Sequence, residues 1–344
     1  MKLLFFLYIF ISLFTAFFSY GFTDPNRGWA VLITGGIMML FFVLYFRILS
    51  VAERGVLRLI VCVAVILLLA YPMFSYDVFN YILTAKVTYF WKENPYLVMP
   101  IEIPNDPNLL FTRAANKLAL YGPTWIGATF FPSLVGFGNV WVSIIAFKVL
   151  VGAWYGIFLW MIYRITKSKW NVIFFALNPL VLSEVLINGH NDITMMVLAI
   201  GSLFLWRSDG VKSRILSVLC FVASIFVKGA TLVLVPLFFV RWPMEKMWRI
   251  GFLLMFGIFL LTPIREELYP WYAIWFLSFA ALLPPQKAKF IHGFSIALSF
   301  GLLLRHLPYV FTREYGGLGP LWRAILTVTP VAIYFAWKGI KKYV

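Results

Sequence analysis

The chain alternates long apolar runs with short polar connectors from one end to the other. An α-helix needs about 17–25 mostly apolar residues to cross the hydrocarbon core of a bilayer, and many of these runs approach that length. The pattern predicts twelve helical segments, several of them short, at 3–20, 29–46, 56–74, 139–163, 170–187, 192–206, 215–227, 229–240, 248–263, 271–284, 288–304 and 320–338. We therefore expect an all-α fold, a polytopic transmembrane helical bundle of about 11–12 spans that forms one integral membrane domain over residues 1–344.

The stretch 215–240 fits either one tilted span or two short spans. A single span would move Arg241, Lys246 and Arg249 to the outer side, against the tendency of Lys and Arg to remain in cytoplasmic loops. A break at Lys228-Gly229 avoids this and puts Lys228 at the outer membrane surface. We therefore expect two short spans here.

The longest polar connector covers about residues 76–137 and is too long for a simple loop in a compact domain. From Asp77 to Trp91, apolar residues recur at helical spacing, which predicts a helix lying on the membrane surface. Asn94-Pro95 ends this helix, and Asn108 to Leu120 is expected to form a second short helix. The sequence thus predicts a long first outer loop that carries surface helices.

Composition supports the membrane class. The chain is 62% hydrophobic, has a mean hydropathy of +0.90 and contains only 12% charged residues, about half the usual share of a soluble domain. The net charge is +16, but the basic residues are scattered singly through short connectors and form no basic stripe. We expect membrane lipids around this protein and no nucleic-acid partner.

Charge also predicts how the chain is oriented. With the N-terminus inside, 18 Lys and Arg residues fall in inner connectors and 10 in outer ones, while nine of the acidic residues fall outside. This distribution places both termini in the cytoplasm and the long loop outside it. The N-terminal Lys2 and the apolar run after it resemble a signal peptide, but no small-x-small cleavage site follows, so we expect a retained first span.

Polar residues collect on the predicted outer face in separate segments of the chain. They are Asp77 at the mouth of an apolar span with Lys86, Asn94-Pro95-Tyr96 and Tyr121-Gly122-Pro123 after it; Asn188-Gly189-His190-Asn191-Asp192 between two spans; Lys228; and the stretch from Arg265 to Tyr272, followed by Arg305-His306 and Arg313-Glu314. A carboxylate in such a place is costly and is a functional candidate by default. It can remove a proton from an attacking hydroxyl, and nearby cations can hold an anionic leaving group such as a phosphate. The pattern therefore predicts group transfer from a lipid phosphate outside the cytoplasm.

Several of these residues also have a purely structural interpretation. Asp77 could cap the helix that follows it, and Lys228 could extend along the membrane interface. Trp271 and Tyr272 could belong to an interfacial aromatic belt.

Other polar residues have structural interpretations too. His190 and Asp192 could be ordinary turn and cap residues. Two further ionisable residues, Lys148 and Glu184, fall inside predicted spans, where a buried pair or a polar cavity would account for them.

Metal and nucleotide chemistry find little support in the sequence. The three histidines, His190, His292 and His306, do not have the spacing of metal ligands, and there is no Gly-rich phosphate loop. We expect no cofactor and no divalent metal. A sugar donor held in the membrane is the better expectation.

The outer-face motifs resemble those of a known enzyme class when they are taken in order. They are Ser75-Tyr76-Asp77-Val78-Phe79-Asn80-Tyr81, Asn94-Pro95-Tyr96, Pro104-Asn105-Asp106-Pro107, Tyr121-Gly122-Pro123-Thr124-Trp125, Asn178-Pro179-Leu180 leading to Asn188-Gly189-His190-Asn191-Asp192, Val227-Lys228 and Pro270-Trp271-Tyr272. In this order, over roughly residues 70–285, the chain resembles the GT-C class of polytopic glycosyltransferases, specifically the polyprenyl-phosphate-mannose-dependent mannosyltransferases.

That resemblance implies an inverting transfer of mannose from a polyprenyl phosphate to the hydroxyl of a glycan, glycolipid or lipid acceptor outside the cytoplasm. By the same analogy Asp77 is the general base, and His190, Asn191 and Asp192 contact the sugar or donor. Lys228 and Arg265 are expected to bind the phosphate, from their charge and side. The substrate-binding set is completed by the motif residues Tyr121, Trp271 and Tyr272.

Other functions remain open at this point. A polytopic transporter or lipid flippase would show paired, Gly- or Pro-interrupted half-helices and an internal repeat, and only Lys148 and Glu184 favour it. A non-catalytic assembly subunit would need no clustered acid and bases. Within the enzyme class, another lipid-linked sugar such as glucose, galactose or an aminosugar is an alternative to mannose.

Overall fold

The computed structural model of the protein describes residues 2–23, 29–51, 55–103, 106–136, 138–312 and 317–343. These residues are almost entirely helical, with no β-strand among them. The α-helices of the described residues are α1 (Lys2–Ser19), α2 (Ala30–Val51), α3 (Val56–Leu68), α4 (Asp77–Ala85), α5 (Pro123–Ala128), α6 (Phe130–Gly136), α7 (Val140–Thr166), α8 (Lys169–Ala176), α9 (Pro179–Val181), α10 (Asp192–Trp206), α11 (Val211–Ile225), α12 (Pro236–Phe239), α13 (Met244–Leu261), α14 (Ala273–Ala280), α15 (Lys289–Leu304), α16 (Leu307–Thr312) and α17 (Gly319–Tyr343). The predicted all-α class is confirmed.

Five helical stretches are long and apolar enough to cross a membrane: Lys2–Ser19, Ala30–Val51, Val140–Thr166, Met244–Ile264 and Lys289–Thr312. The pair Lys169–Ala176 and Pro179–Ile187 adds a sixth if its two halves, bent by 51°, form one span. Other predicted spans appear as shorter apolar helices, such as Val56–Leu68 and Asp192–Trp206. The polytopic helical bundle is thus confirmed, with five or six helical stretches of spanning length among the described residues where 11–12 spans were expected.

The predicted break at Lys228 is present. The α11 helix ends at Ile225, Lys228 has an extended backbone, and a 3₁₀ helix begins at Gly229 and runs to Leu234. Lys228 therefore lies at a turn between two apolar segments rather than within one.

The long connector predicted as an outer loop is only partly as expected. The predicted helix is found as α4 followed by a π-helical segment, Lys86–Phe90, but seven of the nine α4 residues are buried, so α4 packs within the protein rather than lying on a surface. The second predicted helix, Asn108 to Leu120, is wrong, because the structure has only a 3₁₀ turn at Pro107–Phe111 and irregular chain after it. Non-local backbone bonds replace the helical ones there, for example from the Ala119 N–H to the Pro95 carbonyl at 2.8 Å. The Pro104-Asn105 part of one sequence motif lies outside the described residues.

The segment 170–187, predicted as one continuous span, is broken in the middle. The Asn178 side chain accepts a hydrogen bond from the Leu180 N–H at 3.0 Å, and Pro179 occupies the first position of the next helix, a combination that starts a new helix rather than continuing the old one. A π-helical turn, Leu182–Ile187, follows. The break directs the second half of this segment toward the polar loop at 188–191.

Three buried tyrosines satisfy the carbonyls that the break leaves without helical partners. The hydroxyls of Tyr8, Tyr45 and Tyr155 each donate to one of these carbonyls at 2.8 Å, and the acceptors are Leu177, Phe174 and Ala176 respectively. The donors come from α1, α2 and α7, so the surrounding helices are built around this break. Because an unpaired buried carbonyl is costly, the three bonds stabilise the bent geometry.

Lys148 and Glu184 do not pair with each other. The Lys148 ammonium donates to the carbonyls of Leu67, at 3.1 Å, and Ala70. It therefore caps the C-terminal end of α3, where carbonyls lack helical partners. The carboxylate of Glu184 has different partners, which belong to the site.

Candidate active site

Asp77 is held at the start of α4 by the chain that leads into it. After α3 ends, the segment from Ala70 to Tyr76 is not helical, and the Asn188 side-chain oxygen accepts the N–H groups of Met73 and Phe74, each at 3.1 Å. Tyr76 is the N-cap residue of α4, and the helix has no side-chain cap hydrogen bond. Asp77 thus lies in the first helical turn, where the helix dipole favours a negative charge, with 21% of its side chain exposed.

His190 lies between two carboxylates. Its Nδ1 is 3.4 Å from Asp77 Oδ2 and its Nε2 is 3.3 Å from Glu184 Oε2, separations typical of ionic contacts rather than of ideal hydrogen bonds. The preceding Gly189 has a φ of +73°, a left-handed conformation that glycine adopts without strain. The ring is buried and stacks on Trp271, with centroids 4.1 Å apart.

The two carboxylates determine the protonation of His190. Burial alone would lower the pKa of this imidazole, but Asp77 and Glu184 outweigh burial and raise the pKa to about 9. His190 is therefore a cation at neutral pH. It supplies a fixed positive charge beside the Asp77 carboxylate.

Asp192 and Lys228 form a second charged unit beside the first. The Lys228 ammonium contacts both carboxylate oxygens of Asp192, at 2.9 and 2.8 Å, and the Trp275 indole N–H donates to the same carboxylate at 2.7 Å. Lys228 also lies over the ring of Tyr272, 5.3 Å from its centroid. Asp192 is buried, whereas Lys228 is partly exposed, so the cation is the solvent-accessible member of the pair.

Asn191 and Tyr121 lie in the same region, and both contact Tyr81. The Asn191 N–H donates to the Tyr81 hydroxyl at 3.3 Å, and the ring of Tyr121 packs edge-on against Tyr81 at 4.6 Å. The carboxamide of Asn191 is buried and makes no hydrogen bond with the described residues. Burial and the nearby Asp77 carboxylate raise the pKa of Tyr121 well above its usual value, so its hydroxyl remains protonated. Polar groups without partners beside a charged cluster are typical of a site that binds a polar ligand.

The stretch from Arg265 to Tyr272 contributes its aromatic side chains to the cluster, but the Arg265 guanidinium lies outside it. Trp271 is stacked between His190 and Tyr269, and Tyr272 stacks on Trp275 at 4.4 Å. The side chain of Arg265 is 90% exposed and lies 3.9 Å from Glu266. Of the residues predicted from the sequence, Arg265 is the one that the structure leaves outside the cluster.

The structure adds to this region residues that were not among the site residues predicted from the sequence, although His306 was expected on the same face. Trp275 binds Asp192, and His306 lies 3.0 Å from Glu184. Arg113, which is exposed, lies over the ring of Tyr76 at 4.7 Å, next to Asp77 in the chain. The sequence signal for these contacts was Glu184, an ionisable residue within an apolar segment, together with the position of His306 among the outer-face polar residues.

The arrangement suits proton removal beside an anion site. In the part of the chain that the structure describes, no group of three or more His, Cys, Asp or Glu side chains is arranged to hold a metal ion. What the cluster does contain is a partly exposed carboxylate, a histidine cation in contact with it, and a partly exposed lysine. These groups could accept a proton and attract a negatively charged substrate.

Comparison with known proteins gives one match. Residues 14–244 match the family model described as alpha-(1->6)-mannopyranosyltransferase, N-terminal domain. No curated protein and no solved structure matches the chain. The matched range includes Asp77, the 188–192 loop and Lys228, and it ends before Trp271.

Proposed function

The chain belongs to the alpha-(1->6)-mannopyranosyltransferase family, and from this membership and the cluster around Asp77 we propose the reaction of this glycosyltransferase in detail. Family membership makes the protein a mannosyltransferase. The proposed donor is a polyprenyl-phosphate mannose, and the acceptor is a hydroxyl of a glycan, glycolipid or lipid outside the cytoplasm. The linkage in the family's description makes a 6-hydroxyl the preferred attacking group. The observation that carries the proposal is the partly exposed Asp77 carboxylate, 3.4 Å from the buried His190.

The proposed step is a single displacement at the anomeric carbon of the donor. The acceptor oxygen forms a bond to that carbon while the bond from the carbon to the phosphate oxygen breaks, and its electron pair leaves with the polyprenyl phosphate. Asp77 takes the proton of the acceptor hydroxyl. Because one displacement inverts the configuration, forming an α linkage in this way requires a β-linked donor.

The neighbouring residues have supporting roles in this proposal. The His190 cation keeps a positive charge beside Asp77 and offsets the negative charge that an anionic donor meets in the site. Asn191 and Tyr121 would contact sugar hydroxyls, and the stacked rings of Trp271 and Tyr272 would support the sugar or lipid. Asp192, buried and bound to Lys228 and Trp275, would act by holding Lys228 in place.

The phosphate needs a cation, and we keep Lys228 in that role because it is the partly exposed member of its ion pair. Arg113 is an additional candidate, since it lies beside Tyr76 and forms no ion pair with the described residues. Arg265 has the weakest support, because its side chain points into solvent.

The extracytoplasmic position of the site is part of the proposal and is supported by the excess of Lys and Arg in the predicted inner connectors. A cysteine introduced at Glu93 in the outer loop should react with a membrane-impermeant thiol reagent in intact cells, whereas one at Lys212 should not. The reverse labelling pattern would overturn the orientation.

The transporter alternative is not favoured by a specific observation. It predicts paired interrupted half-helices, and the described residues contain one bent pair, Lys169–Ala176 with Pro179–Ile187. The buried Lys148 and Glu184, which had favoured transport, have structural or site partners instead.

The test is transfer by the purified protein from a panel of labelled polyprenyl-phosphate sugars, with a nucleotide sugar as the control donor. We expect mannose transfer from the lipid phosphate and none from the nucleotide sugar. Equal transfer of glucose or galactose would contradict the assignment of mannose, and transfer from the nucleotide sugar alone would contradict the lipid donor.

A further inference from the structure

Glu184 is a buried carboxylate within a broken apolar segment, and the proposed displacement does not use it directly. Its side chain has no exposed surface. Burying a carboxylate is costly unless it is paired and hydrogen-bonded. It also lies in a π-helical turn, an element that occurs often at functional sites. Such a residue needs an explanation, and Glu184 contacts three parts of the structure.

The first direction is toward His190. The Glu184 carboxylate is 3.3 Å from Nε2 of the His190 ring, and the Glu184 carbonyl accepts the His190 N–H at 2.9 Å. Both the ring and the backbone of His190 are therefore held by the same residue. The opposite ring nitrogen is the one that faces Asp77, at 3.4 Å.

The second direction is toward the segment that leads into Asp77. The Asn188 amide group donates to the Glu184 carboxylate at 3.1 Å. The oxygen of the same Asn188 side chain accepts the N–H groups of Met73 and Phe74. Glu184 therefore orients the side chain that fixes the backbone three residues before Asp77.

The third direction is toward His306, which comes from the far end of the chain. Its Nε2 is 3.0 Å from Glu184 Oε1, and its ring stacks on Phe74 with centroids 4.6 Å apart and planes 15° apart. The Glu184 carboxylate thus connects to Phe74 by two routes, through Asn188 to its backbone and through His306 to its ring.

We propose that Glu184 is a positioning residue for the transfer reaction, whose carboxylate holds the His190 ring against Asp77 and fixes the Met73–Asp77 segment. This inference rests on the proposed role of Asp77 as the general base. Glu184 touches neither substrate nor the reacting atoms, so it acts through His190 and Asn188.

The groups that face this unit come from several elements. His190 meets Asp77 from α4, Glu184 from the π-helical turn and Trp271 from the turn before α14. Glu184 additionally meets His306 and Ser183, the latter hydroxyl donating at 3.2 Å. His190 is therefore the site cation that two carboxylates stabilise, and removing one of them weakens that stabilisation.

The experiment compares Glu184→Gln with the matched control Glu245→Gln, a glutamate-to-glutamine change at the opposite end of the bundle. kcat and KM for donor are measured from about pH 6 to about pH 10, spanning the pKa of His190. Glutamine keeps the shape but removes the charge, so His190 should lose its proton at lower pH. We expect the alkaline fall in kcat/KM to move down by about 1–3 pH units, and kcat to fall about 10–100-fold through misplacement of the base.

A merely structural role would give a different result. An equal loss of activity at every pH, with the alkaline fall unmoved, would overturn the inference, as would wild-type kinetics in Glu184→Gln. If Glu184→Gln does not accumulate in membranes, Glu184→Asp replaces it. This variant keeps the charge but shortens its reach, so the alkaline fall should stay near that of the wild type while kcat falls. A wild-type kcat in Glu184→Asp would then overturn the inference.

Two variants distinguish the positioning role of Glu184 from the general-base role of Asp77. If Asp77→Asn is inactive while Glu184→Gln has wild-type kinetics, the general base stands and only the positioning role is lost. If Asp77→Asn is fully active, the proposed base itself is wrong, whatever Glu184→Gln shows.

Discussion

The two ends of the helical bundle both carry clusters of charged residues, but they bury them very differently. At the Asp77 end, Glu184, His190 and Asp192 are enclosed by the protein. At the opposite end, where α13 begins, Glu245 pairs with Arg249 and Lys287 at 3.0 and 3.2 Å, and all three side chains are largely or partly open to solvent. Exposed ion pairs contribute little to stability, whereas buried charges are costly to maintain. The difference favours a functional reason for the charges at the Asp77 end.

A search for the site by cavity volume would point to the end of the bundle opposite Asp77. A cavity of about 590 Å³ lies beside Glu245, lined also by Thr166, Ser168, Trp170 and Asn171. Its charged neighbours are solvated. At the Asp77 end, the informative features are a histidine cation in contact with two carboxylates and a buried carboxamide without a partner. Ionised and unpaired polar groups, rather than cavity volume, are therefore the features that favour the Asp77 end as the candidate site.

The largest expected effect on stability comes from breaking the buried pair at the Asp77 end. Lys228→Met leaves the buried Asp192 carboxylate with the Trp275 N–H but without its cation. Removing one partner of a buried pair costs about 3–5 kcal/mol. Thermal unfolding of the detergent-solubilised protein should show a clearly lower Tm, together with loss of transfer. A variant with wild-type Tm would show that this pair behaves like the exposed pairs at the other end.

The second-largest expected effect is a fall in stability as His190 loses its proton at alkaline pH. The folded-state pKa of His190, about 9, lies above its ordinary value of 6.5. The stabilisation from its proton is therefore complete below about pH 6.5 and is lost as the pH rises through about 9. The wild-type Tm should fall over that window more than the Tm of His190→Gln. Parallel curves for the two proteins would contradict a protonated His190.

A smaller effect is expected where the long connector 76–137 meets the Lys228 turn. The Gly122 N–H donates to the Val227 carbonyl at 3.2 Å, and a Cβ on Gly122 would come within 2.0 Å of the Phe226 carbonyl oxygen. Gly122→Ala should push the two segments apart and cost about 1–3 kcal/mol, as overpacking usually does. Gly127→Ala, where an added Cβ meets nothing within 4 Å, is the matched control. Equal Tm values for the two variants would contradict the tight contact.

The smallest effect is expected at the opposite end. Glu245→Gln removes the partner of two exposed cations, Arg249 and Lys287, and such pairs contribute little. Tm and transfer rate should both remain at the wild-type level. A large loss in either would remove the contrast between the two ends.

The grouping of most candidate-site residues could be predicted from the sequence because their positions follow from topology. Asp77, the 188–192 loop and Lys228 each occur where an apolar segment ends, and alternation of the spans brings such ends to one side. The break at Lys228 was predicted from charge alone. Hydropathy does not predict which way a side chain in an exposed turn points. Arg265 was therefore expected in the cluster, but its side chain lies in solvent.

The contacts of Glu184 could not be predicted for a different reason. They depend on a helix break at Asn178-Pro179 and on a π-helical turn, neither of which changes the apolar pattern of 170–187. The proline did signal the break, but the bend of 51° and the approach of His306 from a distant part of the chain are set by tertiary packing. The same packing accounts for the wrong helix at 108–120, where non-local bonds override local preference.

The central claim is that Asp77 is the base of a mannosyl transfer. The most direct test is kcat for mannose transfer from polyprenyl-phosphate mannose by Asp77→Asn, compared in the same membranes with wild type and Glu245→Gln at equal protein levels. Losing a general base lowers the rate about 10²–10⁴-fold. We predict a loss of that size in Asp77→Asn and none in Glu245→Gln. A wild-type kcat in Asp77→Asn would contradict the account.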